Sequence, residues 1–338
     1  MMNDTILTIK NLHVSISVDP PIHALEGIDL TVQRGEILGL IGESGAGKSL
    51  IGSAIANLLV SPLQISQGSI ELDSQRIDTL TERQMERVRG TRIGMIFQDP
   101  MTSLNPVLTV GHQLTETIRT HLKLGRVEGR ARAVEWLKRV GLPAPEDMLS
   151  RYPHEFSGGM RQRIVIALAL CAEPDLVIAD EPTTALDVSV QAQILSLLRE
   201  LHRETGVTVI LITHDMGVLA QMADRVAVIY SGHVVELGRT SEIVEHSQHP
   251  YTIGLMRSIV DIDTPVATLF QIEGSMPRPS DRPSGCAFHP RCPRMTQRCH
   301  NDVPALEGNT LHRTACWHPG QTSGTEGTPK IEAKDAAC

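Results

Sequence analysis

From residue 5 to 32 apolar and polar residues alternate, with Ile6, Leu7, Ile9, Leu12, Val14, Ile16 and Val18 followed by Ile28, Leu30 and Val32. That period predicts antiparallel strands turning at Asp19-Pro20-Pro21. Residues 37–41 form an unbroken apolar run, predicting a buried strand, and residues 50–59 are compatible with a helix. Short strands are predicted at 68–72 and 93–97, with a charged, helix-prone stretch at 81–92 between them. Over 107–150, Val127, Ala131, Val134, Leu137 and Leu142 recur near the helical period. A helix is predicted to open at Ser157-Gly158-Gly159 and run through Cys171. A strand at 176–179 follows, then a helix whose face is Val190, Ile194, Leu197, Leu198 and Leu201, then strands at 207–212 and 226–230. Strands alternating with helices predict an α/β fold with a parallel central sheet. The antiparallel opening and an inserted helical block, about 99–170, are additions to it. After about residue 240 periodicity fades while prolines, histidines and cysteines rise. The pattern therefore predicts a main domain at 1–240, a small second domain at 241–320 and a disordered tail at 321–338.

Composition narrows the classes open to such a chain. Its 338 residues suffice for one large or two modest domains. A net charge of −8 and 3% aromatic residues argue against nucleic-acid binding, which asks for basic surface and stacking platforms. The opening Met-Met-Asn-Asp-Thr has neither the basic nor the apolar part of a secretory leader. The longest apolar run, 164–172, is too short to span a bilayer, so any membrane span in the process must come from another chain.

The candidate chemistry is concentrated at strand ends. Gly42-Glu43-Ser44-Gly45-Ala46-Gly47-Lys48-Ser49 fits G-x-x-x-x-G-K-[S/T] between a predicted strand and a predicted helix. Glycines in that context let backbone N–H groups curl around phosphates, Lys48 reaches the β- and γ-phosphates, and Ser49 holds Mg2+. Asp180 and Glu181 end another buried strand, where the sheet rule places ligands. Asp180 is suited to supporting Mg2+ and Glu181 to polarising an attacking water, the nearby cation offsetting their mutual repulsion. His214 and Gln98 end further strands at the same edge; His214 is a donor to the γ-phosphate, and Gln98 a contact to Mg2+ or the water. Ser157-Gly158-Gly159 forms a second cradle at a second helix start. One triphosphate has no use for two cradles, so a dimer is expected, each chain's second cradle capping its partner's ATP.

Together these residues resemble ABC-type ATPases over residues 5–240. Residues 42–49 look like the family's Walker A motif and Gln98 its Q-loop. Ser157 to Gln162 look like the signature, Asp180-Glu181 the Walker B motif with its catalytic Glu, Thr184 to Asp187 the D-loop, and His214 the switch His. The resemblance implies a P-loop fold with a mixed sheet, an antiparallel β-subdomain and a helical subdomain. It also implies two such subunits sandwiching ATP, driving a pair of membrane subunits. Two departures stand out: Ile16 lies where the family carries an adenine-stacking aromatic, and Met160 replaces a common Gln.

The runs at 97–106 (Phe-Gln-Asp-Pro-Met-Thr-Ser-Leu-Asn-Pro), 249–252 (His-Pro-Tyr-Thr) and 285–293 look like the ATP-binding subunits of dipeptide, oligopeptide and nickel importers. They extend the resemblance to about residue 318 and bring it closest to D-type dipeptide-permease subunits. It implies a distinct F-type ATPase partner, two permease subunits, indirectly a solute-binding protein, and a place on the cytoplasmic face of the membrane. Nickel chelates or other small solutes are an alternative cargo; a non-transport ABC ATPase is disfavoured by the single cassette and the lack of a heptad run.

Of six cysteines, Cys286, Cys292, Cys299 and Cys316 cluster late, a grouping that in an intracellular protein points to metal more than to disulfides. Four thiolates can hold zinc or an iron–sulfur cluster, and the C-x5-C-x6-C-x16-C spacing selects neither. The resemblance implies a [4Fe–4S] cluster. His289, His300 and His318 are substitute ligands for zinc. Cys171 reads as a core residue and Cys338 as a free tail thiol.

Overall fold

A computed structural model of the chain describes residues 4–184, 186–258 and 270–320. The alternating opening folds as β1 (Thr5–Ile16) and β2 (Ile22–Gln33), joined through the expected Pro turn. After β3 (Ile37–Ile41), β4 (Leu63–Leu72) and β5 (Gln75–Arg76) complete a four-stranded antiparallel sheet in the order β2-β1-β4-β5.

The second sheet has eight strands. Its parallel part contains β6 (Ile93–Ile96), β7 (Leu176–Asp180), β8 (Thr208–Ile212), β3 and β9 (Arg225–Tyr230), in that spatial order. Both faces of these strands are buried, which is why they read as unbroken apolar runs. Ile37, Ile41, Val177, Ala179, Val209 and Leu211 join the core on the helical side; Leu38, Leu40, Leu176, Ile178, Ile210 and Ile212 join the core shared with the antiparallel sheet.

The helical block resolves into Val110–Leu122, Arg126–Arg139 and Gly158–Leu170, packed on one another. Here the expected apolar face needs correction. Leu137 and Leu142 are buried as expected, but Val127 and Ala131 are exposed, and the second helix buries Ala133 and Trp136 in their place. The large indole sets which side turns inward, and the early apolar residues fall off that stripe.

Past residue 230 the chain keeps adding to the same sheet. The strand β10 (His233–Arg239) pairs antiparallel with β9, and β12 (His312–Thr314) pairs with β10, with β11 (Glu307–Gly308) outermost. Glu236, fully buried on β10, accepts from the Gln248 N–H at 2.6 Å and the His249 N–H at 3.0 Å, and lies 2.6 Å from His312 Nε2. The 241–320 segment is thereby stitched to the edge of the main sheet. The expected tail, 321–338 with Cys338, and Ala185 of the predicted D-loop lie outside the described residues. Among the described residues, no helix is long and apolar enough to cross a membrane.

Candidate functional site

The carboxyl ends of β3, β6, β7 and β8 converge on one edge of the sheet. Residues 42–49 leave β3 and enter the helix Lys48–Ile55. Gly47 has φ 107°, a conformation that strains any residue with a side chain, and a Cβ there would also press on Leu25 Cδ2 of β2 at 2.6 Å. The Ala46 N–H donates to Glu43 O at 3.1 Å, and the Gly232 N–H to Ala46 O at 2.8 Å, bracing the curl. Lys48 is buried and its Nζ donates to Gly42 O at 2.7 Å and Glu43 O at 3.1 Å. Burial lowers its pKa, while the charges of Glu181, Asp180 and Glu43 oppose that shift. Ser49 Oγ donates to Asp180 Oδ1 at 3.0 Å. Burial raises the Asp180 carboxyl, and this hydrogen bond pulls the other way.

Glu181 follows β7 in a left-handed conformation, φ 46°, which costs a non-glycine residue about 1 kcal/mol or more. Its N–H donates to Ile212 O at 2.9 Å, tying it to β8. The carboxylate accepts from Gln98 Nε2 at 3.0 Å and Thr184 Oγ1 at 2.7 Å and lies 3.5 Å from His214 Nδ1. The strained backbone and three polar neighbours give this carboxylate a single aim. Gln98, Asp180, Glu181 and His214, expected separately at strand ends, are thus one constellation beside Lys48 and Ser49. Thr184 was expected only as part of a motif. Its contact with Glu181 depends on a turn in which the Thr184 N–H donates to Glu181 O, a geometry with no signature in the residue pattern.

The second cradle is elsewhere. Ser157 caps the helix Gly158–Leu170, its Oγ accepting from the Met160 N–H at 3.3 Å. Asp187 caps Val188–Thr205 through the Val190 N–H at 2.9 Å. The two helix starts abut, for a Cβ on Gly159 would meet Val190 Cγ1 at 2.7 Å. Among the described residues no hydrogen bond or ion pair joins Ser157, Gly158, Gly159 or Asp187 to residues 42–49.

Residues 25–184 match the family model for the ABC transporter, and residues 235–299 match that for the oligopeptide/dipeptide transporter C-terminal region. The dipeptide transport ATP-binding protein DppD of Bacillus subtilis is 45% identical over 93% of this chain and 95% of its own length. The chain is an ATP-binding subunit of the oligopeptide/dipeptide ABC transporter family. The probable D,D-dipeptide transport ATP-binding protein DdpD of Escherichia coli is 44% identical over 95% of this ABC subunit and 98% of its own length. Among solved structures, a dimeric ATP-binding cassette in a post-hydrolysis state with ADP and Pi is similar, at TM-score 0.62 and 30% identity. It covers 69% of this subunit and 98% of that cassette.

Cys286, Cys292, Cys299 and Cys316 of the ABC subunit are all free thiols and line one small cavity of about 10 Å³, with His289 and His318 at its wall. Burial pushes the Cys286 thiol up to about 11 and raises Cys292 and Cys316. The donors are right in kind for a metal. Yet among the described residues no three His, Cys, Asp or Glu side chains form a group able to hold a metal ion. The iron–sulfur cluster, and zinc as its alternative, therefore find no formed site, because shared lining of a cavity is weaker than convergence on one point. His300 packs on His289 at 4.1 Å between ring centroids. Cys171 is core, as expected, with its thiol pushed up to about 12 by burial.

Proposed function

We propose that this ABC subunit hydrolyses ATP to drive import of dipeptides or oligopeptides through a membrane permease. The observation that carries the reading is the Glu181 carboxylate, fixed by Gln98 and Thr184 beside His214, at the same sheet edge as Lys48 and Ser49. In this reading residues 42–49 wrap the phosphates and Lys48 neutralises them. Glu181 orients the attacking water and His214 donates to the terminal phosphate. Ser49 and Asp180, with Gln98 near, would hold Mg2+, which when bound offsets phosphate charge. The paired Ser49 hydroxyl and Asp180 carboxylate fit that ion in chemistry and place.

Ser157, Gly158, Gly159 and Asp187 act on the ATP of a facing, homologous ATPase subunit. That no hydrogen bond or ion pair joins them to residues 42–49 among the described residues supports that division. The remaining partners are two membrane-spanning permease subunits and, indirectly, a solute-binding protein, with this subunit on the cytoplasmic face. Residues 1–240 are the ATPase unit, with the helical block at 99–170 as its route to the permease, and 241–320 are a cysteine-rich extension. Iron–sulfur ligation by Cys286, Cys292, Cys299 and Cys316 is supported only by their common cavity. Iron and absorption near 400 nm in protein purified without oxygen would carry that reading, and metal-free protein would end it.

The transport reading is tested by reconstituting the subunit with its permease and partner ATPase in vesicles. ATP-dependent uptake of labelled dipeptide is the expected result. ATP turnover with no peptide uptake, or with uptake of a nickel chelate in its place, would refute the peptide assignment.

A further inference from the structure

The phosphate loop carries an acidic residue of its own. Glu43 lies five residues before Lys48, and its charge is felt at the Lys48 ammonium. A carboxylate on a loop that must receive a polyphosphate opposes binding unless something offsets it. The counter-charge comes from the far end of the chain. Arg291 Nη1 lies 3.1 Å from both Glu43 carboxylate oxygens. Its side chain is only 6% exposed, against 29% for Glu43. Among the described residues every other partner of the guanidinium is uncharged. Nε donates to Glu273 O at 2.8 Å, Nη2 to Ile272 O and Gly274 O at 3.4 and 3.3 Å, and Nη1 lies 3.4 Å from the Tyr230 hydroxyl. The rings of Tyr230 and Phe288 sit 5.8 and 6.0 Å from its Cζ. A second tie reaches the same residue, the Glu43 N–H donating to the Tyr251 hydroxyl at 2.8 Å.

We propose that the carboxyl-terminal segment completes the nucleotide site electrostatically: Arg291 cancels the charge of Glu43, and Tyr251 pins the backbone there, so that the loop meets ATP without a bare carboxylate. Arg291 is a positioning and neutralising residue, held on the carbonyls of Ile272, Glu273 and Gly274 and beside the rings of Tyr230 and Phe288. Lys48, which donates to the backbone carbonyls of Gly42 and Glu43, then keeps its charge for phosphate rather than for the Glu43 carboxylate. Because Arg291 directly precedes Cys292, at the wall of the thiol-lined cavity, a rearrangement there has a two-residue path to the phosphate loop. This inference rests on residues 42–49 being the ATP site.

The test is equilibrium binding of Mg-ATP to the full-length subunit, comparing wild type with Arg291→Met, Arg291→Met/Glu43→Gln and Lys48→Ala, with thermal unfolding run on each. Arg291→Met is expected to weaken binding about ten-fold, a loss that shrinks in high salt. Adding Glu43→Gln is expected to recover most of it, since the offending charge is gone. A folded Arg291→Met protein with wild-type affinity, or a double variant as weak as the single, would overturn the counter-charge role. If Arg291→Met does not fold, Arg291→Gln replaces it under the same comparison. Unchanged affinity in Lys48→Ala would instead bring down the ATP site itself, so the two failures are separable.

Discussion

Glu181 concentrates the chemistry at the residue scale. A non-glycine residue at φ 46° persists only where its surroundings over-determine it, and here an N–H bond to Ile212 and donors from Gln98 and Thr184 do so. Phosphoryl transfer leaves the protein little covalent work beyond positioning and charge. Glu181→Gln keeps the size and hydrogen bonding and loses the charge. Phosphate release is expected to fall by about a hundred-fold or more, with ATP still bound. Rapid-quench phosphate release alongside equilibrium ATP binding checks this; near-normal turnover would remove Glu181 from its role. The residue identities at this site were legible in the sequence because each motif is local, a glycine-rich turn or a strand-end carboxylate. The mutual contact of Gln98, Thr184 and His214 on one carboxylate was not, since it depends on how three loops approach.

Among the elements, the helix Arg126–Arg139 shows how packing overrides period. The sequence points to Val127, Ala131, Val134, Leu137 and Leu142, of which Leu137 and Leu142 are buried, but the helix turns on Trp136, which is 1% exposed, with the Arg139 guanidinium 4.9 Å from its ring centroid. Truncating it removes the largest side chain of that core. Trp136→Ala is expected to destabilise the protein by about 3–5 kcal/mol, read as a drop in the denaturant midpoint. A loss below about 1 kcal/mol would mean that the helical block contributes little to cooperative folding.

Over the whole molecule, the carboxyl-terminal segment is part of the machine's frame. His249 is 1% exposed and caps the helix Pro250–Arg257, its Nδ1 accepting from the Tyr251 N–H at 3.1 Å. Burial drives its pKa down to about 4, against the opposing pull of Glu236. The unfolded chain takes up that proton near the ordinary value of about 6.5. Between the two values the unfolded state holds more protons, so stability is intact above about pH 6.5 and falls as pH drops toward 4. His249→Asn, which preserves a capping acceptor, is expected to flatten this part of the stability profile relative to wild type. Chemical denaturation at pH 7, 5.5 and 4.5 measures it, and parallel profiles for the two proteins would exclude His249 as the source.

By itself, the sequence determined the parallel α/β core, the antiparallel opening and the sheet edge that gathers the strand-end motifs. Period and turn chemistry act over a few residues, and the motifs carry their chemistry within that range. The pairing of β10 with β12, the burial of Glu236 among groups from two other segments, and the Arg291 contact with Glu43 across 248 positions were decided only by the tertiary structure. A strand edge accepts any strand with free backbone groups, and a charge pairs with whichever opposite charge is brought near. Neither partner is written into the local pattern.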